Sequence, residues 1–215
     1  MIKRTICFVF VLFFSLIFQA PAFADDNFDV AYDVTYRFSD NHNALVTQTV
    51  TLTNKTTNLF ATQYQGSIYG TVVGEINGFD STGPISVESE KTNDKETIIT
   101  ASLKEKTVGQ GSFSSFSVNY TLSGLVSQNG RINEIAIPRP SKNQPVLGYK
   151  VTVIVPQSMG SVGFVKPKVK YQQTGSSYVF SFSTPQSLQG ILVGIGTVAH
   201  YSFDITYHLS NHSYR

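Results

Sequence analysis

The residues whose type and spacing come nearest to a metal site are histidines close to the end of the chain. His200, Asp204, His208 and His212 follow one another at intervals of four residues. In an extended strand four residues cover about 13 Å, whereas all the ligands of one zinc ion lie about 2 Å from the metal. Residues on one straight strand therefore cannot share an ion. A polar strand face that points to solvent is the preferred interpretation, and we expect no metal site.

The sequence also contains no motif that is typical of a catalytic nucleophile or a phosphate-binding loop. The single cysteine, Cys7, lies in an apolar leader, so the chain after the leader has no thiol for a disulfide, a zinc thiolate or a cysteine nucleophile. Serine is frequent, but no Gly-x-Ser-x-Gly elbow occurs. Gly190, Gly194 and Gly196 lack the Lys-Ser/Thr pair that ends a phosphate-binding loop. We therefore predict no catalytic or cofactor-binding residue and no cofactor.

Two weaker patterns involve lysine and asparagine. Lys166, Lys168 and Lys170 alternate along an expected edge strand; an anion site there is conceivable, but charge that prevents edge-to-edge aggregation is the commoner role. Three tripeptides fit the N-glycosylation pattern, which is short enough to arise by chance; they begin at Asn54, Asn119 and Asn211.

The first 24 residues have the three regions of a secretory signal peptide. Lys3 and Arg4 precede an apolar run of about thirteen residues, and Ala22 and Ala24 supply the small residues that a signal peptidase reads. The run is shorter than the roughly 20 residues of a membrane span, so a retained anchor is the less favoured alternative. No later run has spanning length. We therefore expect export to the cell envelope or beyond.

Charge excludes one class of partner. Two of the 16 Lys and Arg lie in the leader, which leaves 14 basic against 14 acidic residues. A neutral chain lacks the electrostatic footprint of a nucleic-acid-binding or anionic-membrane-binding protein. We therefore predict no nucleic-acid partner.

Apolar and polar residues alternate with a period of two in many segments along the rest of the chain, which predicts β-strands. These strands would position the residues of any site. The apolar members of each alternating run are expected to point into a core. The clearest runs lie at residues 28–38, 45–53, 116–122, 149–155 and 201–209. The dense glycines of residues 62–79 predict bent or bulged strands, because each glycine in a helix costs about 1 kcal/mol. Beyond one isolated turn near Leu188, no amphipathic helix is expected.

These patterns predict an all-β, antiparallel β-sandwich of about ten to twelve strands, in one lobe or two. The expected boundaries are a signal peptide at residues 1–24, a sandwich domain at 25–212, and a truncated end or linker at 213–215. A single core in a chain of this length buries enough surface to fold without disulfides.

The closing segment, residues 190–196 followed by 201–209, is similar to the end of the N-terminal β-domain of exported bacterial transglutaminase-like proteins. The opening run 32–36, the run 50–54 and the run 149–156 fit the same resemblance. In that family the sandwich precedes a papain-like core with a Cys-His-Asp triad. The chain after its leader has no cysteine, so no catalytic residue can be carried over. Similar sandwiches also occur beside zinc aminopeptidase cores, so the fold does not fix the partner chemistry.

The resemblance implies a non-catalytic accessory domain of a cell-envelope protein. Such a domain positions or shields a downstream catalytic core, or binds a surface partner such as a protein or a glycan. The alternative from another class is a free-standing adhesin or carbohydrate-binding sandwich. An enzyme built on a serine or carboxylate site is the least favoured interpretation.

Overall fold

The structure is a computed structural model that describes residues 27–139 and 146–197. The leader, Cys7, the predicted strand at 201–209 and the histidines at 200, 208 and 212 lie outside the described residues. No helix in the described part of the chain is long and apolar enough to cross a membrane.

The all-β prediction is confirmed. The only helical segments among the described residues are two short 3-10 turns, Gln157–Met159 and Gln186–Gln189, and the second includes the turn expected near Leu188. Residues 27–139 and 146–197 contain fifteen strands, more than the ten to twelve expected: β1 Phe28–Phe38, β2 Ala44–Asn54, β3 Gln63–Tyr69, β4 Thr71–Asp80, β5 Gly83–Ile85, β6 Val87–Asn93, β7 Glu96–Ser102, β8 Phe113–Ser123, β9 Val126–Asn129, β10 Ile132–Ile137, β11 Val146–Pro156, β12 Ser161–Lys166, β13 Tyr171–Thr174, β14 Ser177–Phe182 and β15 Ile191–Gly196.

The largest sheet has eight strands in the order β13-β14-β11-β1-β2-β8-β4-β5. Its centre begins as a hairpin, in which Phe38 pairs with Ala44 across the turn at residues 39–43. The register between β4 and β8 shifts between Val73 and Asn77, so the glycine-rich segment is bulged as predicted.

One pairing differs from the predicted antiparallel arrangement. β1 and β11 run parallel, with Val34 opposite Val151 and Tyr36 opposite Val153. A parallel pair requires a crossover connection, here the whole chain between Phe38 and Val146. A period-two pattern reports which face of a strand is buried but not the direction of its partner.

Two smaller sheets complete the fold. One has four strands in the order β12-β15-β10-β9, and the other has three in the order β3-β7-β6. Buried side chains from all three sheets form one continuous hydrophobic core. In the eight-stranded sheet every buried residue lies on the same side, here called the inner face, which includes Val34, Val46, Val118 and Val151. The other side is called the outer face.

Candidate functional site

The structure describes none of the residues that the sequence analysis considered for metal chemistry. His200, Asp204, His208 and His212 lie outside it, as does Asn211. Within residues 27–139 and 146–197, no group of three or more His, Cys, Asp or Glu could hold a metal ion.

The three lysines do not share one strand. Lys166 ends β12, whereas Lys168 and Lys170 lie in the loop before β13. The Nζ atom of Lys166 lies 5.9 Å from the centre of the Phe164 ring. The predicted common strand face is therefore wrong, because a loop begins at Pro167 and interrupts the alternation.

Two of the three glycines have a packing role. Gly194 and Gly196 lie in β15, between β12 and β10. A Cβ atom on Gly194 would lie 2.3 Å from Cε1 of Phe164, and one on Gly196 would lie 2.1 Å from the carbonyl oxygen of Arg131. The missing side chains let β15 approach its neighbours closely.

Asn54, the first residue of one glycosylation tripeptide, is a buried loop anchor. Its side chain is 2% exposed. Its Nδ2 donates hydrogen bonds to the carbonyls of Leu59 (2.6 Å) and Thr107 (3.4 Å), and its Oδ1 accepts from the backbone and hydroxyl of Thr56, both at 2.8 Å. A glycan on Nδ2 would displace these contacts. The Asn-x-Thr spacing, also typical of a local side-chain turn, was the only sequence signal for this role.

The Asn54→Ala variant should lose about 1–3 kcal/mol of unfolding free energy, because the carbonyl of Leu59 and the amide of Thr56 lose their partner. Urea unfolding measures this cost, and limited proteolysis should detect loosening of residues 55–62 and 103–112. Asn58→Ala, at an exposed position of the same loop, is the control. Equal stability of the two variants would contradict the anchoring role.

A cluster of buried tyrosines is the main polar feature of the core. Each of its members is at most 7% exposed: Tyr32, Tyr36, Tyr64, Tyr120 and Tyr149. The hydroxyls of Tyr32 and Tyr64 lie 2.9 Å apart. Because Tyr32 belongs to β1 and Tyr64 to β3, this hydrogen bond links the eight-stranded and three-stranded sheets.

The remaining phenols are also hydrogen-bonded. Tyr120 donates to Oε1 of Gln48 at 2.9 Å, and the side chains of Tyr36 and Tyr149 share a hydrogen bond. Among the described residues, no buried side-chain nitrogen or oxygen lacks a partner. The interior thus contains polar groups, and their hydrogen-bonding capacity is satisfied.

Burial sets the protonation state of this cluster. Loss of hydration raises the pKa of Tyr149 to about 12 and the pKa of both Tyr36 and Tyr64 well above the usual 10. Burial also raises the pKa of Tyr32 and of Tyr120. All five phenols are therefore protonated at neutral pH, and they act as hydrogen-bonding groups rather than as bases or nucleophiles.

Comparison with known proteins shows the fold. No protein-family profile matches the sequence, and no curated protein matches it either. Among solved structures, an M1 zinc metallopeptidase from Deinococcus radiodurans matches with 12% identity and a TM-score of 0.50 over 80% of this chain. A point mutant of that enzyme matches with 13% identity and a TM-score of 0.51 over 82% of this chain, and the mutant bound to a Tyr-Ser-Ala substrate matches with 12% identity and the same score and coverage.

The likeness is one of fold. The chain spans less than half of those metallopeptidase chains, 44% of the point mutant and 43% of the unmutated enzyme. At such low identity no residue role is transferred.

Proposed function

We propose that this chain is an exported, non-catalytic accessory β-domain that works with a separate catalytic module. The observation that carries the proposal is the fold match, in which a domain of this architecture occupies less than half of a larger enzyme chain. The signal peptide predicted at residues 1–24 supports a place in the cell envelope or outside the cell.

The chemistry of the described residues fits a supporting role. The buried polar side chains are the tyrosine phenols, the amide of Asn54 and the hydroxyls of Thr97 and Ser187, and no buried side-chain nitrogen or oxygen among the described residues lacks a partner. A nucleophile needs an adjacent base and an orienting third group. The buried tyrosines and Asn54 have no such neighbour among their hydrogen-bond partners, and the hydroxyl of Ser187 donates to the backbone carbonyl of Tyr149. Catalysis would therefore belong to the other module.

Two kinds of catalytic module fit the proposal. The sequence resemblance favours a transglutaminase-like core with a Cys-His-Asp triad. The fold match favours a zinc peptidase, because the similar solved chains are metallopeptidases. With either module, the role proposed for this chain is the same, to position or shield the module.

An apolar group on two loops and at the start of β8 offers a contact surface for that module. This group, the loop patch, is formed by Leu59, Phe60, Val108 and Phe113, which are 36–65% exposed. Asn54 binds a backbone carbonyl from each loop, so the loops converge. Monomeric proteins seldom leave contiguous apolar groups uncovered, and those that occur often mark interaction sites.

The proposal predicts the outcome of purification from the source cells. An antibody raised against residues 27–197 should capture either a longer polypeptide that contains them or a tight complex with a second chain. Mass spectrometry should find a Cys-His-Asp core or a zinc peptidase in the captured material. Capture of this chain alone, with turnover of a peptide or amide substrate by the pure chain, would overturn the proposal.

The loop patch gives a second, independent prediction. When the captured module and this domain are expressed as separate chains, wild-type domain should co-purify with the module, and the Phe60→Asp, Phe113→Asp double variant should lose at least tenfold in affinity because two buried charges would replace apolar contacts. Leu147→Asp, at an apolar position of β11 that is 70% exposed, is the matched control. Equal loss in both variants would contradict a specific patch.

A further inference from the structure

Two asparagines of this chain precede a glycine, Asn77 and Asn129. In such a pair the backbone nitrogen of the glycine can attack the side-chain carbonyl carbon of the asparagine, because glycine has no Cβ atom to hinder the approach. The attack requires the two atoms to reach a near-attack geometry, and an asparagine held in an extended strand keeps them apart. The reactivity of each pair therefore depends on how easily its strand opens.

Asn129 lies at the end of a hairpin. It ends β9, which in the described part of the chain is an edge strand of the four-stranded sheet, and it pairs with Ile132 across a two-residue turn. Asn129 and both turn residues, Gly130 and Arg131, are exposed. The backbone N–H of Gly130 donates a hydrogen bond to no other described residue. Opening one terminal strand pair thus frees Asn129, and strand ends open at little cost.

Asn77 lies in the interior of a sheet. It belongs to β4 and is on the outer face of the eight-stranded sheet. The next residue, Gly78, is buried and pairs with Val118 of β8 and with Ile85 of β5. A Cβ atom on Gly78 would lie 2.4 Å from Cγ2 of Val87, so the backbone here is closely packed. An attack on Asn77 would require β4 to separate from its neighbours.

The side-chain amide of Asn129 has a charged neighbour. Its Nδ2 donates a hydrogen bond to Oε1 of Glu134 at 3.4 Å, and Glu134 belongs to none of the ion pairs among the described residues. If a carboxylate replaced the amide, the hydrogen-bond donor would be lost and two like charges would lie side by side on β9 and β10. Like charges on adjacent strands destabilise strand pairing.

We propose that Asn129 is a site of spontaneous deamidation and that the carboxylate formed there loosens the hairpin of β9 and β10. The nitrogen of Gly130 forms a bond to Cγ of Asn129, and the bond from Cγ to Nδ2 breaks. Nδ2 leaves as ammonia with the proton that the Gly130 amide gives up. Water then opens the cyclic imide, at Cγ to give aspartate or at the main-chain carbonyl carbon to give isoaspartate. Neither step depends on the catalytic module.

Peptide mapping by mass spectrometry tests the site with the purified chain kept in neutral buffer. Samples taken over several weeks give the rates of conversion of both asparagines in the same molecule. Asn129 should convert at least about tenfold faster than Asn77, because strand ends open more often than the interior of a sheet. In guanidinium chloride, which unfolds the sheets, the two rates should agree within about threefold, since the local sequence alone then acts. Equal rates in the folded chain, or no conversion of Asn129 there, would overturn the proposal.

Variants test the effect on the hairpin. Asn129→Asp reproduces the aspartate product, and it should speed amide hydrogen exchange in residues 126–137 by about twofold to fivefold. Adding Glu134→Gln should restore most of the protection, because one of the two like charges is removed. Asn58→Asp, which adds the same charge at an exposed position of a distant loop, should leave exchange in this hairpin unchanged. Unchanged exchange in Asn129→Asp, or no recovery with Glu134→Gln, would overturn the proposed effect on the hairpin.

Discussion

Alkaline titration should unfold this protein cooperatively between pH 10 and pH 12. Each of the five buried tyrosines keeps its proton more tightly in the folded state than in the unfolded state, where the pKa is about 10. Above pH 10 the unfolded chain therefore binds fewer protons than the folded chain, and stability falls as pH rises. If all five phenols were ionised in the unfolded state and protonated in the folded state, the slope would reach its upper limit of about 7 kcal/mol per pH unit.

That slope is large beside the 5–15 kcal/mol of total stability typical of a domain. Well below pH 10 the phenols are protonated in both states, so their contribution there does not change with pH. Phenolate absorbance and far-ultraviolet circular dichroism, recorded on the same samples, check the prediction. The absorbance of the buried phenolates should appear together with the loss of strand signal.

Removing one pair of phenols should raise the midpoint of the transition. The Tyr32→Phe, Tyr64→Phe double variant deletes two titrating groups and both partners of one hydrogen bond, so the slope should fall by about two fifths. Tyr69→Phe, at a position 36% exposed, is the matched control. Buried phenolates that appear while the strand signal persists would contradict the prediction.

The sequence predicted individual strands well where one face is buried. The expected run at 28–38 is β1 itself, and the alternation at 116–122 lies within β8 with Phe116, Val118, Tyr120 and Leu122 buried. These strands pack one face against the core, so burial imposes a period of two on their residues.

Strand pairing and polar strands could not be predicted in the same way. β6 is exposed along almost its whole length, and its sequence VESEKTN carries no apolar alternation. Val87 is the one residue of this strand that is not exposed. The parallel neighbour of β1 is β11, more than a hundred residues away, and the alternation of either strand fits a parallel or an antiparallel partner equally well.

Contacts between strands depend on this unpredicted pairing. Thr35 lies opposite both Thr47 and Thr152, whereas the sequence places these threonines on three separate strands. Likewise, the aromatic pattern predicted that Tyr32 would be buried, but its hydroxyl partner Tyr64 belongs to a different sheet. Burial follows from local sequence, and the identity of a neighbour follows from register.

Gly196→Ala should destabilise the fold by about 3 kcal/mol or more, the upper range for inserting a methyl group into a packed core. The new Cβ would lie 2.1 Å from the carbonyl oxygen of Arg131 and 2.9 Å from Cα of Ile132. Both are backbone atoms of the chain entering β10, so no side-chain rotation relieves the clash. β15 and β10 would have to separate, which breaks part of the ladder in which Ile132 pairs with Gly196.

Two further variants distinguish a clash of the new methyl group with backbone atoms from a general loss of stability when glycine is replaced by alanine. In Gly148→Ala the new Cβ would lie 3.8 Å from Cβ of Ala31, an ordinary contact, so stability should change by less than about 0.5 kcal/mol. In Gly194→Ala the clash is with the ring of Phe164, a side chain, so adding Phe164→Ala should recover part of the loss. The same second change should leave the cost of Gly196→Ala unaltered.

Urea unfolding of these variants gives the free energies needed for the comparison. Two results would contradict the close packing of β15. One is an unfolding free energy for Gly196→Ala equal to that of Gly148→Ala, and the other is no coupling energy between Gly194→Ala and Phe164→Ala. The expected order follows from what each methyl group meets. The methyl group of Gly148→Ala makes an ordinary contact, so stability should hardly change, and the cost of Gly194→Ala can be recovered in part by removing the ring of Phe164. The methyl group of Gly196→Ala meets backbone, which cannot move without separating β10 from β15. The inner residues of those two strands, Ile135 and Val193, are fully buried in the core.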